Sequence, residues 1–194
     1  MDVLDKAIEF ATNAHSGQVR KLAKTPYILH PMEVACIIST MTTDKETMAA
    51  GLLHDTIEDC NIDPQTIYDE FGKRVYGLVL SETEDKLSDR PPADTWMERK
   101  EESLLMLEMT QDEHVRILWL ADKLSNIRSF YREYLVKGDE IWSTLNQKDP
   151  KMQEWYYRSI AKSLISLKDT AAYLEYISLV DRIFGEESKN GNEN

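Results

Sequence analysis

Residues 49–61, AAGLLHDTIEDCN, place four polar side chains that bind protons or metals close together in the sequence. On a helix, positions three and four apart share a face, so His54 would stand above Glu58 and Asp55 above Asp59. The opposite flank of such a helix is small and apolar. A metal site needs a neutral imidazole and hard oxygen ligands on a buried, rigid element. The stretch therefore predicts half of a metal-centred active site.

The pattern around this stretch is helical throughout. Apolar residues recur at helical spacing, and helix starts are marked by capping residues, with proline following at some of them: Asp2, Thr43, Asp63, Thr110 and Asp149. There is no alternating strand pattern, Rossmann glycine pattern or P-loop, and 7 glycines are few for a loop-rich β fold. We expect an all-α bundle of roughly eight to ten helices. In this interpretation residues 43–60 form one helix and residues 149–177 another.

The chain of 194 residues is close to the upper end of one ordinary domain. We expect a single domain over residues 1–184 and a disordered tail, GEESKNGNEN, over residues 185–194. No apolar run approaches the roughly 18 residues of a membrane span, and the N-terminus is acidic and amphipathic, unlike a signal peptide. These features favour a cytoplasmic protein. Cys36 and Cys60 have no CxxC spacing, which indicates free thiols.

Charge narrows the range of partners. The net charge of −12 argues against a general nucleic-acid binder, which would need a basic stripe. An anionic ligand would therefore require locally concentrated positive charge. The loop after the first helix supplies such a concentration, since Arg20, Lys21 and Lys24 lie within five residues. The proline-rich segment 85–94 is irregular, and we expect a loop that closes over a ligand.

A candidate metal site combines the central stretch with two other helices: His30, His54, Asp55 and Asp122. Two imidazoles and two carboxylates, with further coordination positions left vacant on the metal ion, suit manganese, iron or a similar divalent ion better than calcium or structural zinc. The alternative is that the histidines are hydrogen-bonded core residues and Asp122 is solvated, and spacing alone leaves both open. We assign the other two histidines to structural roles, His15 as support near the site and His114 as an exposed residue.

Several segments in a fixed order carry a resemblance to a known family: AHSGQVRK (14–21), PYILHP (26–31), LLHDTIED (52–59), ETEDK (82–86), ERK (98–100) and LADKLSNIR (120–128). Together they resemble the HD-domain phosphohydrolases, specifically the ppGpp hydrolase domain of the Rel/SpoT family. SETEDKLS (81–88) stands where the long enzymes of that family usually carry a GVTKL-like run. The chain is thus most similar to the small stand-alone alarmone hydrolases, which include a metazoan SpoT homologue and lack the synthetase domain.

The resemblance implies a role for each matching residue. One manganese ion would have four ligands: His30, His54, Asp55 and Asp122. An acid/base pair, Glu58 and Asp59, would orient and deprotonate the attacking water. Six residues would contact substrate, with the nucleoside facing Arg20, Lys21 and Asn126 and the phosphates facing Lys86, Arg99 and Lys100. The aromatic run 155–157 is open to two interpretations, substrate contact or helix core.

The implied function is manganese-dependent hydrolysis of the 3′-pyrophosphate of (p)ppGpp, giving GDP or GTP and pyrophosphate in the stringent response. The alternatives are an HD phosphohydrolase for another nucleotide and a non-catalytic nucleotide-binding module. A small-molecule nucleotide is the expected partner, with no nucleic acid and no membrane. The preference between guanine and adenine alarmones, homo-oligomer formation and the neutralisation of a partner synthetase stay open.

Overall fold

The computed structural model describes residues 1–21, 23–84, 87 and 89–185. The predicted all-α architecture is confirmed, because these residues form nine α-helices and two short 3-10 helices. The α-helices in chain order are α1 Val3–Ala14, α2 Leu29–Ile38, α3 Lys45–Leu53, α4 Thr56–Cys60, α5 Pro64–Glu82, α6 Trp96–Met109, α7 Glu113–Lys137, α8 Pro150–Ser163 and α9 Ala171–Phe184. The 3-10 helices are Gly138–Thr144 and Ile165–Leu167.

Three helices begin as the capping pattern predicts. The carboxylates of Asp2, Asp63 and Asp149 each accept a hydrogen bond from the amide two residues further on. Each carboxylate satisfies one of the amides that a helix N-terminus leaves without an internal partner. Helix α5 is kinked at Gly72, whose φ of 81° is positive.

Two capping predictions were wrong by one or two residues. Asp44 rather than Thr43 caps α3, and Asp112 rather than Thr110 caps α7. In both cases a carboxylate follows the threonine closely and accepts the first free amide, for example that of His114 at 3.0 Å. An aspartate is a stronger cap than a threonine, which explains the choice.

The predicted continuous helix over residues 43–60 was also wrong, since α3 ends at Leu53 and α4 begins at Thr56. Side chains bind the backbone carbonyls at this junction. Nδ1 of His54 lies 2.8 Å from the carbonyl oxygen of Gly51, and the Thr56 hydroxyl donates to the carbonyl of Leu53. Such bonds compete with the helix ladder, and apolar periodicity carries no information about them.

The predicted helix over residues 149–177 is two helices, α8 and α9, that pack against each other. Thr170 caps α9 by accepting from the amide of Tyr173. The Tyr173 hydroxyl donates back across the turn to the carbonyl of Ala161 at 2.9 Å. The apolar stripe keeps helical spacing on both sides of the turn, so periodicity alone merges the two elements.

Helices α2, α3 and α7 pack on one another and form the part of the core that carries the site. Small residues allow α2 and α3 to approach closely. A Cβ atom at Gly51 would lie 2.5 Å from Cδ1 of Ile38 on α2, and Ala49 and Ala50 have no exposed surface. The close approach brings the start of α2 next to the end of α3.

The sequence predictions on the tail, the cysteines and membrane helices have different outcomes. The tail beyond residue 185 and parts of the segment 85–94 lie outside the described residues, and the single-domain boundary stays a prediction. Cys36 and Cys60 are free thiols, as expected. Within the described ranges, every helix is too short or too polar to cross a membrane.

Candidate metal centre and its cationic surroundings

The predicted ligands converge from three parts of the fold. His30 lies in the first turn of α2, His54 and Asp55 lie in the junction between α3 and α4, and Asp122 lies on α7. Nε2 of His30 is 3.0 Å from Oδ1 of Asp122, and Nε2 of His54 is 3.5 Å from the same oxygen. The ligand atoms of these three buried residues all lie within 4.8 Å of one another. This cluster could bind a metal ion.

Asp55 borders the cluster. Its Oδ2 atom lies 3.0 Å from Nε2 of His54 and 3.5 Å from Nε2 of His30. The hydroxyl of Tyr27 donates to the same oxygen at 2.7 Å and holds the carboxylate in place. Two imidazoles and two carboxylates therefore meet at one point, and their roles as ligands remain predictions.

The donor set fits a divalent cation. His54 uses Nδ1 to donate to the carbonyl of Gly51, because a carbonyl can only accept. Its Nε2 atom is fully buried and faces Oδ2 of Asp55 at 3.0 Å and Oδ1 of Asp122 at 3.5 Å. Two buried carboxylates beside this nitrogen require a positive charge, supplied either by a proton on Nε2 or by a metal ion in its place.

Electrostatics keep the carboxylates ionised. Burial raises the pKa of Asp55 and Asp122, but neighbouring cationic groups, His54 for Asp55 and Lys123 for Asp122, lower both pKa values below the ordinary range. Burial lowers the pKa of His30. Burial also opposes protonation of His54, yet Asp55 and Asp122 outweigh it and raise that pKa. The cluster thus holds two ionised carboxylates beside two imidazoles within a helical core.

Tyr27 connects the cluster to the predicted acid/base pair, and sequence reasoning gave it no role. Its hydroxyl lies 2.7 Å from Oδ2 of Asp55 and 2.9 Å from Oδ2 of Asp59. A phenol has a single proton, so the two carboxylates share one donor. Burial, followed by the two carboxylates, raises the pKa of Tyr27 far above its ordinary value. Its position three residues before His30 was the available signal.

Glu58 and Asp59 lie on α4, so the prediction of one continuous helix through His54 and Glu58 was wrong. Glu58 is half-buried, and its Oε2 atom accepts a hydrogen bond of 3.3 Å from the backbone amide of Glu84. Asp59 is exposed and is linked to the cluster through the Tyr27 hydroxyl.

Two of the predicted substrate residues form a chain to the cluster. Nη2 of Arg20 donates to Oδ1 of Asn126 at 3.0 Å, and Nδ2 of Asn126 donates to Oδ1 of Asp122 at 2.8 Å. The Arg20 guanidinium also lies over the ring of Tyr27 at 5.6 Å. Lys21 is exposed on the same turn.

A cavity of about 170 Å³ lies beside His30. It is open to solvent on the side of the loop after α1 and is lined by residues of that loop, α2 and α7: Arg20, Ala23, Thr25, Leu29, His30, Glu33, Ser125, Ser129 and Arg132. The sequence gave no sign of it, because its walls come from three separate segments.

Two other predicted cations, Arg99 and Lys100, are paired with a residue that sequence reasoning left without a role. Glu84 accepts from Nη1 of Arg99 at 2.7 Å and from Nζ of Lys100 at 3.0 Å. Burial raises the pKa of Glu84, but Lys100 and Arg99 outweigh it and lower that pKa overall. Lys86 lies outside the described residues.

A second unexpected carboxylate supports Asp122. Nζ of Lys123 lies 2.5 Å from Oδ2 of Asp122 and 2.9 Å from Oε1 of Glu82. Burial raises the pKa of Glu82 to about 8. Lys123 therefore holds the outer oxygen of Asp122, and the inner oxygen faces the two histidines.

The predictions for the aromatic run 155–157 and for the two other histidines had different outcomes. Tyr156 is buried and packs edge-on against Trp96 at 5.9 Å, so the aromatic run contributes to the core, yet the Tyr156 ring also lies 5.1 Å from Nζ of Lys100. His15 is buried and stacks on Tyr27, near the site as expected. His114 is partly buried against the cap of α3, so the prediction that it is exposed was wrong.

Comparisons with known proteins give the same picture. The family model described as HD domain matches residues 7–150. A Vibrio cholerae protein named guanosine-3′,5′-bis(diphosphate) 3′-pyrophosphohydrolase is 39% identical over 132 residues, covering 66% of this chain and 18% of that protein. A putative chloroplastic GTP diphosphokinase of Arabidopsis thaliana is 38% identical over 136 residues, covering 66% of this chain and 15% of that protein. The chain thus spans less than a fifth of the length of these curated relatives.

A solved structure of a metazoan orthologue of SpoT, described as hydrolysing ppGpp and acting in starvation responses, shares the fold. Its TM-score is 0.73 at 24% sequence identity, with 94% of this chain and 95% of that chain covered. The predicted helical bundle therefore has a counterpart over nearly its whole length.

Proposed function

Because the chain belongs to the HD-domain family, we propose that it is a metal-dependent hydrolase that removes the 3′-pyrophosphate from ppGpp or pppGpp. The products are GDP or GTP and pyrophosphate. The observation that carries the proposal is the buried cluster of His30, His54 and Asp122, with Asp55 beside it, in which two imidazoles face two carboxylates. The names of the relatives in Vibrio cholerae and among metazoans support the choice of substrate.

In this proposal one Mn²⁺ ion is held by His30, His54, Asp55 and Asp122. When bound, such an ion supplies Lewis acidity, which acidifies water and neutralises phosphoryl oxygens. Lys123 and Asn126 hold the two oxygens of Asp122. The Tyr27 hydroxyl holds Asp55, so each carboxylate is oriented before a ligand arrives.

The half-buried Glu58 takes a proton from the attacking water at the edge of the cluster. The water oxygen bonds to the phosphorus that carries the ribose 3′ oxygen. The bond between that phosphorus and the 3′ oxygen breaks, the 3′ oxygen receives the proton that Glu58 took from the water, and pyrophosphate leaves. Asp59 is linked to the cluster by the Tyr27 hydroxyl, whose proton it shares with Asp55.

The nucleoside lies in the cavity beside His30. Arg20 borders this cavity and is linked through Asn126 to Asp122, so a nucleoside that touches Arg20 is placed relative to the cluster. Lys21 extends the positive charge of the same turn. A local field of this kind offsets the repulsion that a net charge of −12 exerts on a polyphosphate.

The phosphates face Arg99 and Lys100, with Lys86 near them in sequence. Because Glu84 pairs with both described cations, phosphate binding takes place by exchange with that carboxylate. The backbone amide of Glu84 binds Glu58, so this exchange takes place next to the proton acceptor. We also place the protein in the cytoplasm, since a polyphosphate nucleotide does not cross a lipid bilayer.

The deciding experiment is product analysis of ppGpp incubated with the metal-free protein, with and without added Mn²⁺. The proposal predicts GDP and pyrophosphate in equal amounts, only with the ion. Orthophosphate released from a 5′ position would instead indicate a different HD phosphohydrolase. Retention of intact ppGpp by protein that demonstrably binds Mn²⁺ would indicate a non-catalytic module.

A further inference from the structure

The ring of His30 is held on the side away from the cluster by a hydrogen-bond chain. Nδ1 of His30 lies 2.8 Å from the hydroxyl oxygen of Ser125 on α7. That hydroxyl donates to Oε2 of Glu33 on α2 at 2.7 Å. His30 and Ser125 are both buried, at 5% and 1% exposed.

The direction of the chain follows from counting protons. A carboxylate only accepts hydrogen bonds, and a serine hydroxyl has a single proton to donate. Since Ser125 gives that proton to Glu33, its oxygen can only accept from His30. The proton of the neutral imidazole must therefore be on Nδ1, which leaves a lone pair on Nε2. Nε2 is the atom that lies 3.0 Å from Asp122.

The far end of the chain is anchored on the C-terminal helix. Nη1 of Arg128 donates to Oε1 of Glu33 at 3.0 Å. Nε and Nη2 of the same guanidinium donate to the two oxygens of Glu175 on α9, at 2.6 and 2.5 Å. A paired guanidinium has a fixed plane, so it also fixes which oxygen of Glu33 is left for Ser125. Glu175 lies beyond residue 150, where the match to the HD-domain model ends.

We propose that Glu33 is a positioning residue that acts through Ser125 to fix the tautomer of His30 in which Nε2 is free to bind a cation. For the identity of the cation the inference rests on the proposed function. The tautomer itself is a property of the metal-free protein. Mutation of a residue that hydrogen-bonds a metal-binding histidine from outside the coordination shell usually weakens metal affinity by about 10- to 100-fold.

The substitution Glu33→Gln tests the direction of the chain. Arg128 can only donate, so it holds the amide oxygen of the new side chain, and the amide NH₂ group turns toward Ser125. Ser125 then accepts from the amide and donates its proton to Nδ1 of His30. The imidazole proton moves to Nε2, and the lone pair faces away from the cluster.

The measurement is long-range ¹H–¹⁵N NMR of the four histidines in metal-free, ¹⁵N-labelled protein. We expect the Nδ1–H tautomer of His30 in the wild type and the Nε2–H tautomer in Glu33→Gln. Calorimetric titration with Mn²⁺ should show affinity about 10- to 100-fold weaker in the variant. Glu175→Gln is the matched control. It also removes one negative charge from a partner of Arg128, but Glu175 has no bond to Ser125, so this variant should keep the wild-type tautomer.

A His30 tautomer that is unchanged in Glu33→Gln overturns the proposal. If Glu33→Gln does not fold, Ser125→Ala replaces it. Ser125→Ala removes the acceptor for Nδ1 of His30 and should give a mixture of tautomers. A pure Nδ1–H signal in Ser125→Ala would also overturn the proposal. Failure of the wild type to hydrolyse ppGpp would refute the proposed function only, because the NMR result is independent of substrate and metal.

Discussion

Oε2 of Glu84 accepts a hydrogen bond of 2.7 Å from Nη1 of Arg99, and the other oxygen of the same carboxylate accepts from Lys100 at 3.0 Å. The three side chains are only 10 to 20% exposed. One internal anion thus neutralises part of the positive charge that the sequence assigns to substrate phosphates. In the proposed function, polyphosphate binding therefore competes with Glu84.

Glu84→Gln removes this competition. We expect the KM for ppGpp to fall by roughly two- to fivefold, the range that a partly exposed ion pair can supply. The free energy of unfolding should also fall, by roughly 1–2 kcal/mol, because Arg99 loses a charged partner while it stays buried. Steady-state kinetics and urea unfolding measure the two effects. Glu102→Gln, an exposed position on the helix that carries Arg99 and Lys100, is the control for net charge, and equal KM changes in both variants would contradict the competition.

Removal of a ligand from the cluster should abolish the response to metal. Saturating wild-type protein with Mn²⁺ at about 100 times its dissociation constant should stabilise it by about 2.7 kcal/mol. Asp122→Ala should show no such gain in thermal denaturation and no turnover of ppGpp. His114→Ala, which changes a histidine at the cap of α3 outside the cluster, should keep both responses. A wild-type gain retained in Asp122→Ala would remove Asp122 from the ligand set.

Gly51→Ala should separate α2 from α3. The added Cβ would lie 2.5 Å from Cδ1 of Ile38, which is fully buried, and overpacking of this kind costs about 1–3 kcal/mol. Adding Ile38→Val removes the clashing methyl group and should restore most of the stability. Gly77→Ala in α5 is the opposite case, because nothing lies within 4 Å and the variant should be about 0.5–1 kcal/mol more stable. Urea unfolding of the variants decides, and equal effects at the two glycines would exclude the steric argument.

The cap of α7 gives a pH-dependent prediction. The hydrogen bond from Arg74 lowers the pKa of Asp112 below its ordinary value. A depressed carboxyl pKa contributes stability above the unfolded-state pKa of about 3.9, and that stability is lost as pH falls through the folded-state pKa. The side chains are 39 and 33% exposed, so solvent screening limits the contribution to about 0.5 kcal/mol.

Asp112→Asn keeps a capping side chain and removes only the charge. Its deficit in urea unfolding relative to the wild type should therefore be present at neutral pH and shrink toward zero at pH values below the folded-state pKa. A deficit that grows on acidification would have the wrong sign. Asp63→Asn at the start of α5 is a matched cap without an ion pair in the described residues and should show a smaller deficit.

The sequence predicted the helical class, most helix starts and the four residues of the candidate metal cluster. It succeeded because caps, prolines and apolar stripes are local signals, and because the HD pair is carried by adjacent residues. His30, His54, Asp55 and Asp122 were brought together from three separate parts of the fold as the resemblance implied. Local sequence signals and the resemblance were therefore enough to identify the four candidate ligands.

The partners of those residues were not predictable. Glu84 and Glu33 belong to a residue type that is usually exposed, and their contacts depend on how distant helices pack. The helix ends at residues 53–56 and near residue 164 were missed for the same reason, since side chain to carbonyl bonds and a packed turn override a continuous apolar stripe. Tertiary contacts decided these points, and no local pattern reports them.

Two of the four predicted ligands, His54 and Asp55, are covalently adjacent at the junction between α3 and α4. Nε2 of His54 and Oδ2 of Asp55 come within 3.0 Å of each other there. Adjacent residues need no loop closure, so the entropy of assembling the proposed metal site is spent on bringing His30 and Asp122 to a pair that the chain already contains.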